Sequence, residues 1–378
     1  MGKILKFFKN NIIFTIVIAI TIISCFFVPP DMKYLDYFEL NTLSCIFLLL
    51  LVIAGLTNIQ FFEKVARIIV KKFKNTRSII MCLIFVTYVS ALINANDMSL
   101  LTFLPLSYIV LKYTNNLKYL PFTFIMQNIA SNLGGMIVPI GNPQNLYIFS
   151  FYQMSLLEFL KIMALPTIFA LILIVAVCMF VKKQPLEFKD EEITKFNVKK
   201  AVIYGVLFVV TILTVLRLIP WWISLILIPI VMIVCDFKSF KIVDYTVPLT
   251  FVAFFIFSGN MARIPTVINL MEKFVDGHTF LTSYISCQLI SNVPTAVLLS
   301  KFTNNYAQLL VSVNVASLGI IFSSLSGVIA LKEYAKVVKK ENIEKKKGVW
   351  YYVGMDTLFN VVGALILVPL SYLALLIL

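Results

Sequence analysis

Two acids stand inside long apolar stretches of this chain, Asp97 in NAND (94 to 97) and Asp356 in VGMDTLFN. A carboxylate at bilayer depth is costly to bury and marks an ion or proton site by default. Breaks in the other apolar stretches carry amides and hydroxyls: Asn94, Asn96, Asn132, Asn142, Asn145, Ser291, Asn292, Thr295, Asn314, Ser323 and Ser324, with Gly134, Gly135 and Gly141 among them. Such groups orient a solute and ligate a hard cation through oxygen. They break no bonds, so the set reads as binding and transfer. A membrane enzyme would need clustered acids, histidines or a nucleophile, and no such cluster is present. Asp97 and Asp356 are the two candidates for a coupling proton. Asp97 has a second reading as the cap of a helix starting at Met98, and Asp356 as a structural pair with a neighbouring helix, with Asn360 four residues on along the same face.

The elements that hold these residues must be membrane helices. Of 378 residues 60% are hydrophobic, 33 are Phe and only 13% are charged, too apolar for a soluble domain of this length. The net charge of +14 would suggest nucleic acid on a soluble face, but here the lysines fall between apolar runs of spanning length. The six cysteines lie in apolar segments without a CxxC, and His278 is the one histidine, so neither a disulfide nor a metal centre is expected. The apolar run after MGKILKFFKNN is long and lacks a small-residue cleavage site, which makes it a retained first span.

In order, spans are expected at 12–29 and 39–57, a re-entrant hairpin at 78–111 with NAND at its tip, and a broken helix at 119–150. Unwound backbone at bilayer depth is tolerated only where it is buried in protein or lines a cavity, so the break in QNIASNLGGMIVPIGNPQNLYI (127 to 148) reads as a binding site. A span at 157–181 closes the first half, and spans at 200–218, 220–235 and 244–261 follow a polar loop. A second hairpin at 280–303 carries SNVPT (291 to 295) at its tip, followed by a second broken helix at 306–331 and a final span at 349–378. That makes nine spans and two hairpins. With the N-terminus inside, the inner segments hold 3, 6, 2, 6, 2 and 7 Lys plus Arg, 26 of the 32, and the C-terminus lies outside a cytoplasmic membrane. Arg263 and Lys301 read as interfacial residues of the outer end.

The halves, 1–198 and 199–378, repeat one another. NTLSCIFLLLLVIAGL (41 to 56) falls on YTVPLTFVAFFIFSGN (245 to 260), NDMSLL (96 to 101) on NVPTAV (292 to 297), and NLGGMIVPIGNPQN (132 to 145) on NVASLGIIFSSLSG (314 to 327). The additional helix at 200–218 turns the second half over, giving an inverted repeat whose tips and breaks converge near the midplane. Helix N-termini there suit anions, and unwound carbonyls suit sodium or a proton carrier. The fold class is thus an all-α polytopic membrane protein with an inverted repeat, two re-entrant hairpins and two broken transmembrane helices.

NAND with Pro105, NLGGMIVPIGNPQN, and VDYTVPLTFVAFFIFSGNMARIP leading to SCQLISNVPTAVLLSKFT resemble the ion transporter superfamily. It comprises divalent anion/sodium symporters, citrate carriers, arsenite effluxers and one group of sodium/proton antiporters. The resemblance covers nearly the whole chain from about residue 38. It implies an elevator-type carrier, usually a homodimer, with a scaffold and a mobile transport domain. In the dicarboxylate carriers each tip bears a Ser-Asn-Thr motif that touches substrate and borders a sodium site. Here Ser291 and Asn292 are kept but Val293 replaces the threonine, and the first tip resembles the Asn-Asp of the arsenite and antiporter branches. Asn96, Asp97, Gly141 and Asn145 are the residues expected at a sodium site.

The expected activity is secondary transport of a small anion, a carboxylate or inorganic oxyanion, coupled to sodium or protons. Sodium/proton exchange, arsenite-type efflux and a channel are the alternatives. No cofactor beyond the coupling ion is expected, and the expected partners are the solute, the lipid bilayer and a second copy of the chain, with no nucleic acid.

Overall fold

Apolar runs of spanning length, punctuated by Gly, Pro and Asn, fold into helices that stop where the punctuation falls. The computed structural model describes residues 12–61, 74–93, 96–185, 197–275, 277–321, 323–341 and 347–377. Among them the protein is helical throughout, with no strand beyond an isolated bridge between Asn75 and Pro185. The first half contains α1 (Ile12–Phe27), α2 (Leu40–Asn58), α3 (Thr76–Ile93), α4 (Asn96–Tyr113), α5 (Leu120–Gly134), α6 (Pro143–Phe151) and α7 (Leu156–Cys178). The second contains α8 (Val198–Val215), α9 (Trp221–Asp236), α10 (Thr246–Met261), α11 (Pro265–Val275), α12 (Thr279–Ile290), α13 (Asn292–Leu299), α14 (Tyr306–Val315), α15 (Leu325–Lys340) and α16 (Val349–Ile377).

By length and apolarity six of the described helices can cross a membrane, or seven if α10 and α11 count as one bent span. The protein is therefore a multi-pass membrane protein, and the nine expected spans differ from this count for two physical reasons. The halves of the interrupted helices, α5 with α6 and α14 with α15, are each too short alone, and the apolar stretch of α1, Phe14–Phe27, is only fourteen residues long. Conversely α3, expected as one arm of a hairpin, is itself eighteen residues long and apolar enough to span. Helix α11 was not expected: it follows a sharp turn at Arg263 and Ile264, and its amphipathic sequence PTVINLMEKFV carries no apolar run.

The helices pack as two groups. One is α1, α2, α8, α9 and α10, where α1 lies on α10 and α2 lies on α8, α9 and α10. A buried carboxylate ties its ends together: Asp236 Oδ2 accepts from Asn58 Nδ2 (2.7 Å), Tyr204 OH (2.8 Å) and Ser239 Oγ (3.1 Å), with Lys200 Nζ at 3.6 Å. Arg263 is not a free interfacial residue, because it makes a two-pronged ion pair with Asp31 (2.7 and 2.9 Å) and donates to Tyr37 OH. That guanidinium holds the Asp31 carboxyl below the usual carboxylate range. Lys301 lies 4.6 Å above the Phe151 ring.

The other group is α3 to α7 with α12 to α16, and its contacts come in exchanged pairs. Helix α4 packs on α15 while α13 packs on α6; α5 packs on α15 while α14 packs on α6; α5 packs on α16 while α14 packs on α7. Helices α5 and α14 touch each other, as do α7 and α16. Each contact between halves thus has a counterpart with the halves swapped. The groups meet where α2 packs on α6 and α10 on α13.

Candidate functional site

The first broken segment is built on glycine because two stretches of backbone touch there. Helix α5 ends at Gly134, a single tight turn covers Gly135–Ile137, and α6 restarts at Pro143. A side chain on Gly141 would run into the backbone of Gly135, with the Gly135 Cα 2.6 Å away. One on Gly134 would lie 2.6 Å from the Tyr88 carbonyl oxygen. Proline at the first position of α6 suits a helix start, where its missing N–H is no loss.

Amides then stitch the break shut. Asn145 donates to the carbonyls of Gly135, Met136 and Val138 at 3.2–3.3 Å, and its own oxygen accepts from Asn314 Nδ2 at 2.6 Å. Asn142 donates to Asn132 O (3.1 Å) and to Asn314 Oδ1 (3.0 Å), and Gln144 Nε2 reaches the same Asn314 oxygen at 3.3 Å. The network joins the two halves through residues 170 apart in sequence. Two oxygens are left without a partner, Asn142 Oδ1 and Gln144 Oε1. An unpaired buried carbonyl costs about 1–3 kcal/mol, so the break carries two acceptors that its own network leaves over.

The hairpin tips use one device twice. Asn96 Oδ1 accepts from Asp97 N–H at 3.0 Å, and Asn292 Oδ1 accepts from Val293 N–H at 2.9 Å. Asp97 is therefore not the cap of a helix starting at Met98: α4 already begins at Asn96, whose amide takes the capping role. Asp97 instead accepts a 2.6 Å bond from Ser326 Oγ, at the start of α15 in the other half. Asn96 also donates to Asn132 Oδ1 (2.9 Å), tying its tip to the break of α5. At the second tip Ser291 has φ +75°, a conformation rare outside glycine, which lets α13 follow α12 without a connecting loop. Ser291 Oγ and Asn292 N–H both donate to Ser323 O at 3.1 Å, Thr295 Oγ1 donates to Ser291 O, and Ser323 Oγ donates to Ser317 O.

Both tips open on one cavity of about 350 Å³ between the two helix groups. Its wall includes Asn96 and Asp97 at the start of α4, Pro143 and Gln144 at the start of α6, Ser291 to Pro294 at the start of α13, and Val328 and Ile329 in the first turns of α15. Three helix N-termini, those of α4, α6 and α13, therefore face one space, and α15 lines it along one side. No side chain caps the N-termini of α6 and α15. The lining is completed by α10, with Thr246, Thr250, Phe251 and Phe254, and by Asp244, Lys332, Glu333 and Lys336. Asp244 is occupied in part by Thr246, whose N–H and hydroxyl both donate to its Oδ1. A 50 Å³ side pocket extends from Asp97 and Asp244 to Asn142.

The expected site residues thus divide. Asn96, Asp97, Ser291 and Asn292 line the cavity, and Asn142 the side pocket. Asn132, Gly134, Gly135, Gly141, Asn145, Asn314, Ser323 and Thr295 form the buried structure behind it, and Ser324 precedes α15. Asn145 has both ends of its amide in use, so the free oxygen is that of Asn142. Asp356 lies elsewhere, on α16, and Asn94 falls outside the described residues. Sequence reasoning missed Gln144, Asp244, Thr250 and Ser326. Two of them had a signal: Gln144 is one of the two amides flanking Pro143 in GNPQN, and Ser326 falls on it in the repeat of 132–145 and 314–327.

A family model described as citrate transporter matches residues 4–327. An uncharacterised transporter of Methanocaldococcus jannaschii is 32% identical over 309 residues, covering 80% of this chain and 83% of that one. The inner membrane protein YbiR of Escherichia coli is 26% identical over 341 residues, covering 87% and 89%.

Proposed function

The chain belongs to the citrate transporter family, and from that premise we propose that it is a secondary carrier moving a small anion, a carboxylate or inorganic oxyanion, across the cytoplasmic membrane, coupled to sodium or protons. The observation that carries this reading is the convergence of three helix N-termini, those of α4, α6 and α13, on one cavity beside Asp97. Each N-terminus brings about half a positive charge, and that of α6 has no side-chain cap, a ready-made seat for an anion. The cavity has the size of a small-molecule site, for which the usual range starts at about 300 Å³.

Asp97 is the coupling residue in this reading. Its charge opposes an anion a few ångströms away, so anion and cation load together. For sodium the fitting oxygens are Asn142 Oδ1, which has no partner, with Gly141 O and Ala91 O gathered beside it at Gly135. For a proton the acceptor is the Asp97 carboxylate itself. The tips, at the level of the α5 break to which Asn96 bonds, are the ends of two re-entrant hairpins, and the exchanged contacts are those of an inverted repeat with its pseudo-two-fold axis in the membrane plane. Helices α1, α2, α8, α9 and α10 are the scaffold against which the other group moves as an elevator, in a homodimer with the N-terminus cytoplasmic and the C-terminus outside. Lys332 and Lys336 in the cavity wall support a lysine-rich inner side at that end and an inward-facing state. Nothing in this reading makes the protein an enzyme.

Asp244 shares the cavity with Asp97, and that second carboxylate favours cation/proton exchange as the other reading. Proteoliposomes decide between them. Counterflow of labelled citrate and other small carboxylates, under sodium gradients and pH gradients applied separately, is expected in wild type and lost or uncoupled in Asp97→Asn. Sodium- or pH-driven exchange with no counterflow of any anion would overturn the anion reading, and unchanged coupled flux in Asp97→Asn would remove Asp97 from the mechanism.

A further inference from the structure

Asp356 sits on α16 with both carboxylate oxygens buried and neither hydrogen-bonded. Residues one turn away on the same helical face share its condition: Tyr352 OH and Asn360 Oδ1 are also buried without partners. Asn360 spends its N–H on the Asp356 backbone carbonyl (2.8 Å), which turns its oxygen free. Three successive turns of one helix thus present unsatisfied polar atoms to the protein interior rather than to lipid. A sequence that only needed packing there would have used apolar residues, since an unpaired buried charge is among the most destabilising features a fold can carry.

The surroundings supply no countercharge. Helix α16 packs on α5, α7, α14 and α15. Helix α5 has no ionisable side chain; α7 has Glu158, Lys161 and Cys178; α14 has Tyr306; α15 has Lys332, Glu333, Tyr334, Lys336, Lys339 and Lys340. Glu158 accepts from Tyr306 OH, Lys332, Glu333 and Lys336 line the cavity, and Lys340 lies over the Tyr108 ring. Tyr334 stacks on Tyr352 with ring centroids 4.6 Å apart and gives its hydroxyl to Lys347 O. Among the described residues no ion pair reaches Asp356. The residue lines neither of the pockets that hold Asp97.

We propose that Asp356, flanked by Tyr352 and Asn360, is a second proton-binding site of the protein, in the buried seam of α16 and apart from the anion cavity. A proton is the ligand this geometry takes. It neutralises the carboxylate on a single oxygen, whereas a metal cation would need some six oxygen ligands and this face offers four. The site requires only that α16 be buried as described, so it stands or falls independently of the substrate.

The test uses purified protein in detergent, without substrate, at fixed sodium concentration. Infrared spectra of wild type against Asp356→Asn at neutral pH are expected to show a carboxylic-acid carbonyl stretch that the variant lacks and that fades in wild type at alkaline pH. If the native state holds that proton and the unfolded chain releases it, the unfolding equilibrium shifts towards unfolding by up to tenfold per pH unit as pH rises. Asp356→Asn keeps the shape without the ionisation and is expected to flatten that slope, with Asp97→Asn run in parallel to account for the other buried acid. A spectrum with carboxylate bands only, or an Asp356→Asn variant that melts lower at every pH with the wild-type slope, would overturn the proposal.

Discussion

The same chemical change, glycine to alanine, is expected to act in opposite directions at three places in this protein. At Gly141 the new methyl group would meet the Gly135 carbonyl oxygen, Cα and carbonyl carbon, the last two at 2.6 and 2.7 Å. All three are backbone, so no rotamer change relieves the clash and the break between α5 and α6 must widen. Overpacking of this kind costs about 1–3 kcal/mol. Asn145 adds to the cost, because it donates to Gly135 and Met136 across the same gap and would lose alignment. At Gly363 the nearest atoms are Leu318 side-chain carbons at 3.4 and 3.6 Å, ordinary contact, and alanine should be close to neutral. At Gly205, inside α8 with open space around it, alanine removes only backbone freedom and should stabilise by about 0.5–1 kcal/mol. The assay is unfolding of the three variants in one detergent, with flux in proteoliposomes measured alongside. Gly141→Ala is expected to melt lowest and to lose transport. If it melts with wild type and transports normally, the touching backbones are not what holds the site.

Two further outcomes follow from charges outside the cavity. The Asp31 carboxyl is held below its ordinary value by Arg263, so the stabilisation it gives is present above the unfolded carboxylate value of about 3.9 and fades as pH falls through the lower native value. Arg263→Ala should erase that acid-side dependence, which acid titration of the melting temperature would read. In the scaffold, Tyr204→Phe removes one of the donors to buried Asp236 while keeping the ring against Gly55, and should cost about 1.5–3 kcal/mol as for other bonds to charged groups. Denaturant unfolding indistinguishable from wild type would show that Asn58, Ser239 and Lys200 suffice.

What the sequence made legible is what local chemistry dictates. A continuous apolar run forms a helix of its own length, so α2 at Leu40–Asn58 lies within a residue of the expected 39–57. Pro105, Pro166, Pro229 and Pro369 sit inside helices, whereas Gly134, Gly135, Pro139, Gly141 and Pro143 fall together within ten residues, and that cluster is where the break between α5 and α6 lies. The start of α4 was displaced because an Asn side chain can cap the next residue as well as an Asp can, and Asn96 does so. Helix α11 escaped because its pattern is amphipathic rather than apolar. The contacts that matter most were not legible at all. Ser326 reaches Asp97 across 229 residues, and Arg263 reaches Asp31 across 232. Such pairs exist only once the halves are packed, and nothing in the spacing of either residue names its partner.

The packed halves also show where the repeat stops being a repeat. Swapping them sends Asp97 to Val293 and Ser326 to Gln144, so the pair that hydrogen-bonds at one tip, Ser326 with Asp97, is matched at the other by an amide facing an apolar side chain. The capping Asn is preserved at both tips, as are the helix starts that face the cavity, so the scaffold of the two sites is equal. Their electrostatics are not. One side of the cavity carries a carboxylate and the other an unpartnered carbonyl oxygen, Gln144 Oε1, with the second tip latched to Ser323 by two bonds. A strictly symmetric site would bind two equivalent cations or none. In the carrier reading proposed above, a charge at one tip only would confine cation loading to the side of Asp97 and leave the second half to shape the cavity and seat the solute. The divergence of Gly134 and Gly135 to Ala316 and Ser317 fits that division, because in that reading the close backbone approach that demands glycine in the first half would be needed beside the cation and relaxed in the half without one.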